Sequence, residues 1–242
     1  MQCNDWGQPI GDPVPGWVAR AQPDRPTLDG RYCRLELLDD QRHAEELFAA
    51  DRSDPDGRSY TYLPYGPFAD LAAYRGWLTG TASGRDPLFY AVIDTDPGAD
   101  SSASGHAVGV LSLMRIQPEA GSIEVGHVHY SPLLQRRRGA TEAQYLSMRY
   151  VFDDLGYRRY EWKCDALNAA SCAAAERLGF RYEGTFRQAQ VVNGRNRDTA
   201  WFSIIETEWP GVAARLRSWL APKNFDDHGH QLTQLDAGTK SR

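Results

Sequence analysis

The chain has 242 residues, a hydrophobic fraction of 41% and a formal charge of -5, which suits one domain with a real core. The acidic balance argues against general nucleic-acid binding, which needs a broad basic surface. The start of the chain has neither a basic nor an apolar leader, and no apolar stretch approaches the ~18 residues of a membrane span. A soluble, cytoplasmic protein without a membrane partner is therefore expected.

Residues 1–30 are rich in Pro, Gly and Asp and read as an extended arm, in which Trp6 and Trp17 are large enough to pin it to the body. Residues 31–38 alternate like a half-buried strand. Residues 39–51 have helical spacing through His43, Leu47 and Ala50 after an Asp start. An aromatic loop follows, then a helix over 69–80 with Leu71, Tyr74 and Leu78 on one face. Strands are expected at 87–94, 106–116 and 123–130, a long helix from about Thr141 to Leu155 closed by Gly156, and a fifth strand at 158–166. A short helix ends at Gly179. Asn193–Gly194 marks a hairpin, and a terminal helix begins near Pro210. Residues 222–242 are polar and read as a disordered tail. The order β-α-α-β-β-β-α-β-α-β-β-α implies an α/β (α+β) fold, a mixed sheet with helices packed on it.

The cysteines, Cys3, Cys33, Cys164 and Cys172, are scattered without C-x-x-C spacing and read as free thiols; no metal site is visible. The turn from the fourth strand into the long helix is unusual. Gln135, Arg136, Arg137 and Arg138 lead into the small residues Gly139, Ala140 and Thr141. A helix N-terminus carries about half a positive charge and exposes free N–H groups. Small residues let phosphates approach them, and arginines complete an anion site suited to a pyrophosphate. A solvated basic turn is the bland alternative.

This stretch resembles the phosphate loop of the GNAT superfamily of acyl-CoA-dependent N-acyltransferases, Q/R-x-x-G-x-G/A, and departs from it at Arg138. Further along, Asn168, Ser171, Ala175, Gly179, Phe180, Glu183 and Gly184 fall where the branch containing the ribosomal-protein alanine and serine acetyltransferases has N-x-x-S…A-x-x-x-G-F-x-x-E-G. Glu124-Val125-Gly126 ahead of Pro132 is similar to that branch's E-x-G-x-x-x-x-P. The resemblance covers about residues 31–210.

It implies a mostly antiparallel sheet of about seven strands, splayed between the fourth and fifth, with helices on it. It implies acetyl-CoA as co-substrate and direct attack by a primary amine, either a small molecule or a protein N-terminus. Backbone groups of His129 and Tyr130 would bind the pantetheine, Gln135 to Thr141 would hold the phosphates, and Asn168 would bond the pantetheine or a catalytic water. Ser171 stands where a hydroxyl would protonate the leaving thiolate, or where it would only cap a short helix. Glu124 is the candidate base. Simple alternation puts His127 and His129 on the face opposite Glu124, and a bulge would re-aim them. Tyr60, Tyr62, Tyr65 and Phe68 lie in the loop expected over the acceptor cleft, which would be bordered by Arg187, Arg195 and Arg197 of the closing hairpin. Another acyl donor, or a non-catalytic acyl-CoA-binding module, are the alternatives. The architecture is compatible with a homodimer.

Overall fold

The structure is a computed structural model that describes residues 2–82, 84–98 and 104–235. Its strands are β1 (Gln2–Cys3), β2 (Pro9–Ile10), β3 (Thr27–Asp29), β4 (Cys33–Leu37), β5 (Leu88–Asp94), β6 (Ala107–Gln117), β7 (Ser122–Tyr130), β8 (Arg159–Asp165), β9 (Arg181–Val192) and β10 (Arg195–Ile205). The helices are α1 (Asp40–Asp51), α2 (Leu71–Ala82), α3 (Arg138–Arg149), α4 (Ala169–Leu178) and α5 (Trp209–Leu220). β1 and β2 form a separate ribbon. The other strands make one eight-stranded sheet in the order β3-β4-β5-β6-β7-β8-β10-β9, and only the β7–β8 neighbours run parallel.

The sheet is covered on both faces, and alternation within its strands supplies both cores. In β5, Phe89, Ala91 and Ile93 pack with Leu47, Tyr74 and Leu78 of α1 and α2, while Tyr90 and Val92 join Leu146 and Leu216 of α3 and α5. Local signals set the helix ends. Asp39 caps α1 by accepting from the backbone N–H groups of Gln41 and Arg42, and Gly179 closes α4 at φ 108°. The β9–β10 turn places Asn193 and Gly194 at φ 51° and 72°, the pair of left-handed residues that a tight two-residue hairpin demands.

Three boundaries differ from expectation. The arm contributes β3, which extends the sheet to an eighth strand. Trp17 Nε1 donates to Glu119 O, and Tyr157 Oη donates to Ala21 O, whereas Trp6 stays exposed. The long helix begins at Arg138, before the first apolar position, and ends in a π-turn over Tyr150–Asp154. Residues 222–235 of the expected tail pack on the domain. Asn224 Nδ2 donates to Trp219 O, Phe225 meets Tyr32 edge-on and Leu235 is buried. The rest of that tail lies outside the described residues.

Candidate active site

β7 and β8 pair only from Ser122↔Arg159 to Val125↔Trp162. Beyond that point, residues 126–130 and 163–165 leave each other, and the sheet opens. A bulge sits at the mouth of the opening. Gly126 faces Ser112 and His129 faces Val110, so β7 spends one extra residue, and His127 takes φ 49°. The extra residue reverses the phase of alternation. His129 therefore shares a face with Glu124 and Gly126, and His127 packs on Phe89 and Tyr65 with centroids 5.0 and 5.6 Å apart. Simple alternation holds up to Gly126 and fails after it.

At the other end of β7, Leu134 N and Gln135 N both donate to Ser131 O, and Arg136 turns through φ 60°. Arg137 occupies the N-cap of α3 without a side-chain cap bond, which leaves the first-turn N–H groups open to an anion. A Cβ on Gly139 would sit 3.3 Å from Tyr32 O, a tight contact, so the first turn of α3 packs close to the backbone that enters β4. Gln135, Arg136 and Arg137 are exposed.

Arg138 behaves differently from its neighbours. Its guanidinium is bidentate on Asp96, at 2.6 and 2.5 Å, and lies over the rings of Tyr32 and Phe225. Both side chains of the ion pair are about nine-tenths buried, so Arg138 is spent on structure and its side chain is not directed to a ligand. Gln135 Nε2 donates to Tyr130 O, which takes up the carbonyl expected to face the pantetheine. Ala140 is half-buried, and Thr141 is buried and accepts from Arg177.

The strand pair thus opens beside an uncapped helix flanked by exposed arginines. The model of the "Acetyltransferase (GNAT) domain" family matches residues 34–181. The chain belongs to the GNAT acetyltransferase family. A solved GCN5-related N-acetyltransferase from Brucella melitensis is 49% identical with TM-score 0.87, over 92% of this chain and 97% of that one. The "Uncharacterized N-acetyltransferase p20" of Bacillus licheniformis is 25% identical over 74% of this chain and 96% of its own length. The "Putative ribosomal N-acetyltransferase YdaF" of Bacillus subtilis is 28% identical over 44% of this chain, a match spanning 58% of that relative. No helix among the described residues is long and apolar enough to cross a membrane.

Within this GNAT frame, Glu124 is buried and not free. Its Oε2 lies 2.7 Å from Lys163 Nζ and 3.1 Å from Arg115 Nε. Lys163 also bonds Glu161 at 2.7 Å and sits 3.7 Å over the Trp201 ring. Burial holds the Glu124 carboxyl above its ordinary range, while Lys163 and Arg115 pull it back. A proton taken by this carboxylate competes with two bound cations, which makes it a good electrostatic anchor. Lys163 had no periodic or motif signal in the sequence, because a lone strand lysine ordinarily reads as a surface residue.

His127 lies at the bulge with Nδ1 3.3 Å from Tyr65 Oη. Burial, aided by the charge of Arg197, holds its imidazole below the ordinary histidine range, so it is neutral at pH 7 and available to accept a proton. His129 belongs to a separate buried set. Its Nε2 is 3.0 Å from Ser59 Oγ, its Nδ1 is 3.7 Å from Asp51 Oδ1, its ring packs 4.2 Å from that of Tyr60, and Tyr60 Oη donates to Asp51. Burial lifts Asp51 to about 7 and drops His129 to about 4.

On the far side of the opening, Asn168 Oδ1 accepts from Ser171 N and so caps α4. Ser171 Oγ accepts from Trp162 Nε1 at 3.0 Å, which leaves its own proton to donate, with Cys164 beside it. The cysteines are free but not all scattered: Cys164 Sγ and Cys172 Sγ meet at 3.6 Å, brought together by the β8–α4 turn. Burial pushes the Cys164 thiol up to about 12. No cluster of three metal-ligating side chains occurs among the described residues.

Beside the bulge is a cavity of about 300 Å³ lined by Tyr65, Trp77, Phe89, His127 and Asp86, among others. Tyr65 was expected there; Trp77 and Phe89 come from α2 and β5 and were not. Tyr62 does not line it. Its hydroxyl donates to Leu167 O at 3.2 Å, tying the aromatic loop to the end of β8. Arg187 is not on the cavity either: it lines a recess on the β9–β10 hairpin with Phe186 and Asp198. Of the hairpin arginines expected at the cleft, Arg197 is the one whose charge reaches His127, while Arg195 is exposed next to the turn.

Proposed function

We propose that this GNAT protein transfers an acetyl group from acetyl-CoA to a primary amine by direct attack, without an acyl-enzyme. The observation that carries this reading is the joining of the β7–β8 opening to the uncapped α3 N-terminus. Arg136, Arg137 and the first-turn N–H groups of α3 are the partners for the donor's pyrophosphate, and the pantetheine lies in the opening as a substitute strand. His129 and Tyr130 border it, and Asn168 stands where β8 ends.

The thioester carbonyl is then held beside the His127 bulge. The amine nitrogen attacks that carbon, and the tetrahedral oxyanion collapses with cleavage of the C–S bond. His127 takes the proton from the attacking nitrogen. Ser171 donates its proton to the departing thiolate and recovers one from solvent. Glu124, tied by Lys163 and Arg115, keeps a negative charge buried on this face and favours the cationic character that develops on the amine. Its part is electrostatic positioning, with His127 as the base. The acceptor is a small amine or a protein N-terminus, the second in keeping with the name of the Bacillus subtilis relative.

Calorimetric titration with acetyl-CoA, CoA and longer acyl-CoAs tests the donor site. Micromolar binding is expected for one of them, and Arg136→Gln and Arg137→Gln should each weaken it about tenfold, the worth of a charge-assisted phosphate contact. Arg138→Gln should instead lower stability, because it strands the buried Asp96 charge. Absence of binding to every CoA species would end this reading. Ser171→Ala should reduce kcat about 10²-fold with little change in the affinity for acetyl-CoA, and an unchanged kcat would remove Ser171 from the proton-donor role.

A further inference from the structure

The cavity beside His127 is walled largely by aromatic rings. Tyr65 and Trp77 pack with centroids 4.4 Å apart, Trp77 meets Phe89 edge-on at 6.1 Å, and Phe89 leans on His127 at 5.0 Å. Its one charged lining residue, Asp86, has both carboxylate oxygens engaged: Oδ1 accepts from Arg115 N at 2.8 Å and Oδ2 from Ile116 N at 3.0 Å. The remaining lining comes from Gly80, Thr81, Gly84 and Pro87. A polar extension would find few partners inside, and an apolar ring would find three aromatic faces.

Size points the same way. A cavity of about 300 Å³ lies at the lower end of small-molecule pockets, while a dry cavity of about 150 Å³ already holds benzene, so a single or fused ring fits. Tyr62 Oη donates to Leu167 O at 3.2 Å, so the aromatic loop is tied to the turn after β8. His127 lines the cavity and lies one residue past Gly126, where the strands part, so a group seated there puts a short-tethered nitrogen next to the opening.

We propose that this cavity binds the flat, apolar side group of the acceptor, and that the protein acts on compact arylalkyl-type primary amines in preference to polyamines and polypeptide N-termini. The proposal rests on the acetyl-CoA-dependent reading above and names the acceptor for it. Trp77 is the floor of specificity, and Gly80 keeps the space open: a Cβ on Gly80 would meet nothing within 4 Å.

The test is a product assay by mass spectrometry on the full chain with acetyl-CoA and equal concentrations of 2-phenylethylamine, tryptamine, spermidine and tetrapeptides beginning with Ser or Ala. The arylalkylamines should show kcat/KM at least tenfold above the others. Trp77→Ala should lower that value at least tenfold, mainly through KM, with unchanged CoA affinity by calorimetry. Gly80→Leu fills the cavity from a helix that gains propensity from the change, so it should fold and produce the same loss. Preference for spermidine or the peptides, or an arylalkylamine KM that ignores Gly80→Leu, overturns the proposal while leaving the acyltransferase reading in place. Failure to bind any acyl-CoA would instead remove that reading, and this one with it.

Discussion

Glu142→Ala is expected to lower the unfolding free energy by about 3–6 kcal/mol, since the buried N–H groups of Tyr32 and Cys33 would each lose a partner at about 1–3 kcal/mol and the less buried one of Arg31 would lose its partner at less. Glu142 lies in the second turn of α3, and its carboxylate accepts from the N–H groups of Arg31, Tyr32 and Cys33 at 3.0, 2.5 and 2.9 Å. The side chain is 6% exposed, so water cannot replace it. Gly30 is part of the same device: a Cβ there would stand 2.5 Å from Glu142 Oε2. The loss is a large share of a typical total of about 5–15 kcal/mol. It should appear as a drop of roughly 10 °C or more in Tm and a matching shift of the urea midpoint. Glu142→Gln keeps one accepting oxygen and should lose about half as much. A cost below about 1 kcal/mol for the alanine variant would show that the β4 entrance finds other partners. The bond bears on the proposed function because it docks the N-terminal part of α3 onto the sheet.

The Asp51–His129 pair should give opposite pH slopes of stability when each partner is removed. Asp51 is raised from 3.8 to about 7, so its contribution is fully present below about pH 4 and is lost as pH rises to 7. His129 is lowered from 6.5 to about 4, so its contribution is present above pH 6.5 and is lost as pH falls to 4. The two trends oppose each other between pH 4 and 6.5 and largely cancel in the wild type. Relative to wild type, Asp51→Asn should gain stability as pH rises over that window, and His129→Gln should lose it up to pH 7. Each difference should reach on the order of 2–3 kcal/mol at 1.36 kcal/mol per unit, after allowance for partial solvent screening. Denaturant titrations at pH 4, 5, 6 and 7 on all three proteins give the difference curves, in which every other titrating group drops out. Parallel curves would mean that the two groups titrate as an ordinary exposed pair.

Much of the architecture was legible because it rests on local rules. Alternation located β4 to β8, and Asn193–Gly194 located the closing hairpin because few other residue pairs tolerate two positive φ values in succession. β3 has no such signal: three residues in a proline-rich stretch carry no period, and only pairing with β4 makes them a strand. The start of α3 was placed three residues late because arginines give no apolar stripe. The site was less legible, and the reason is sequence distance. Arg138 looked like a phosphate ligand until Asp96 came to meet it from the β5–β6 connection. Lys163, Asp51 and Ser59 gain meaning only through Glu124 and His129, which are brought to them by the sheet and its bulge. The bulge itself was allowed for, yet its effect on which face each histidine takes had to be seen in the register.

The packing of residues 222–235 has a practical reach. Phe225 lies over one side of the Arg138 guanidinium, the backbone of Gly229 runs close to it, and Tyr32 receives it on the sheet side. The same residue opens the helix proposed to receive the donor's phosphates. Residues 222–235 are thus fastened to a post at the start of α3, and an affinity tag or fusion partner pulling on them would be felt where coenzyme A is expected to dock. A tag on the amino-terminal side, beyond the exposed β1–β2 ribbon, would leave that post undisturbed.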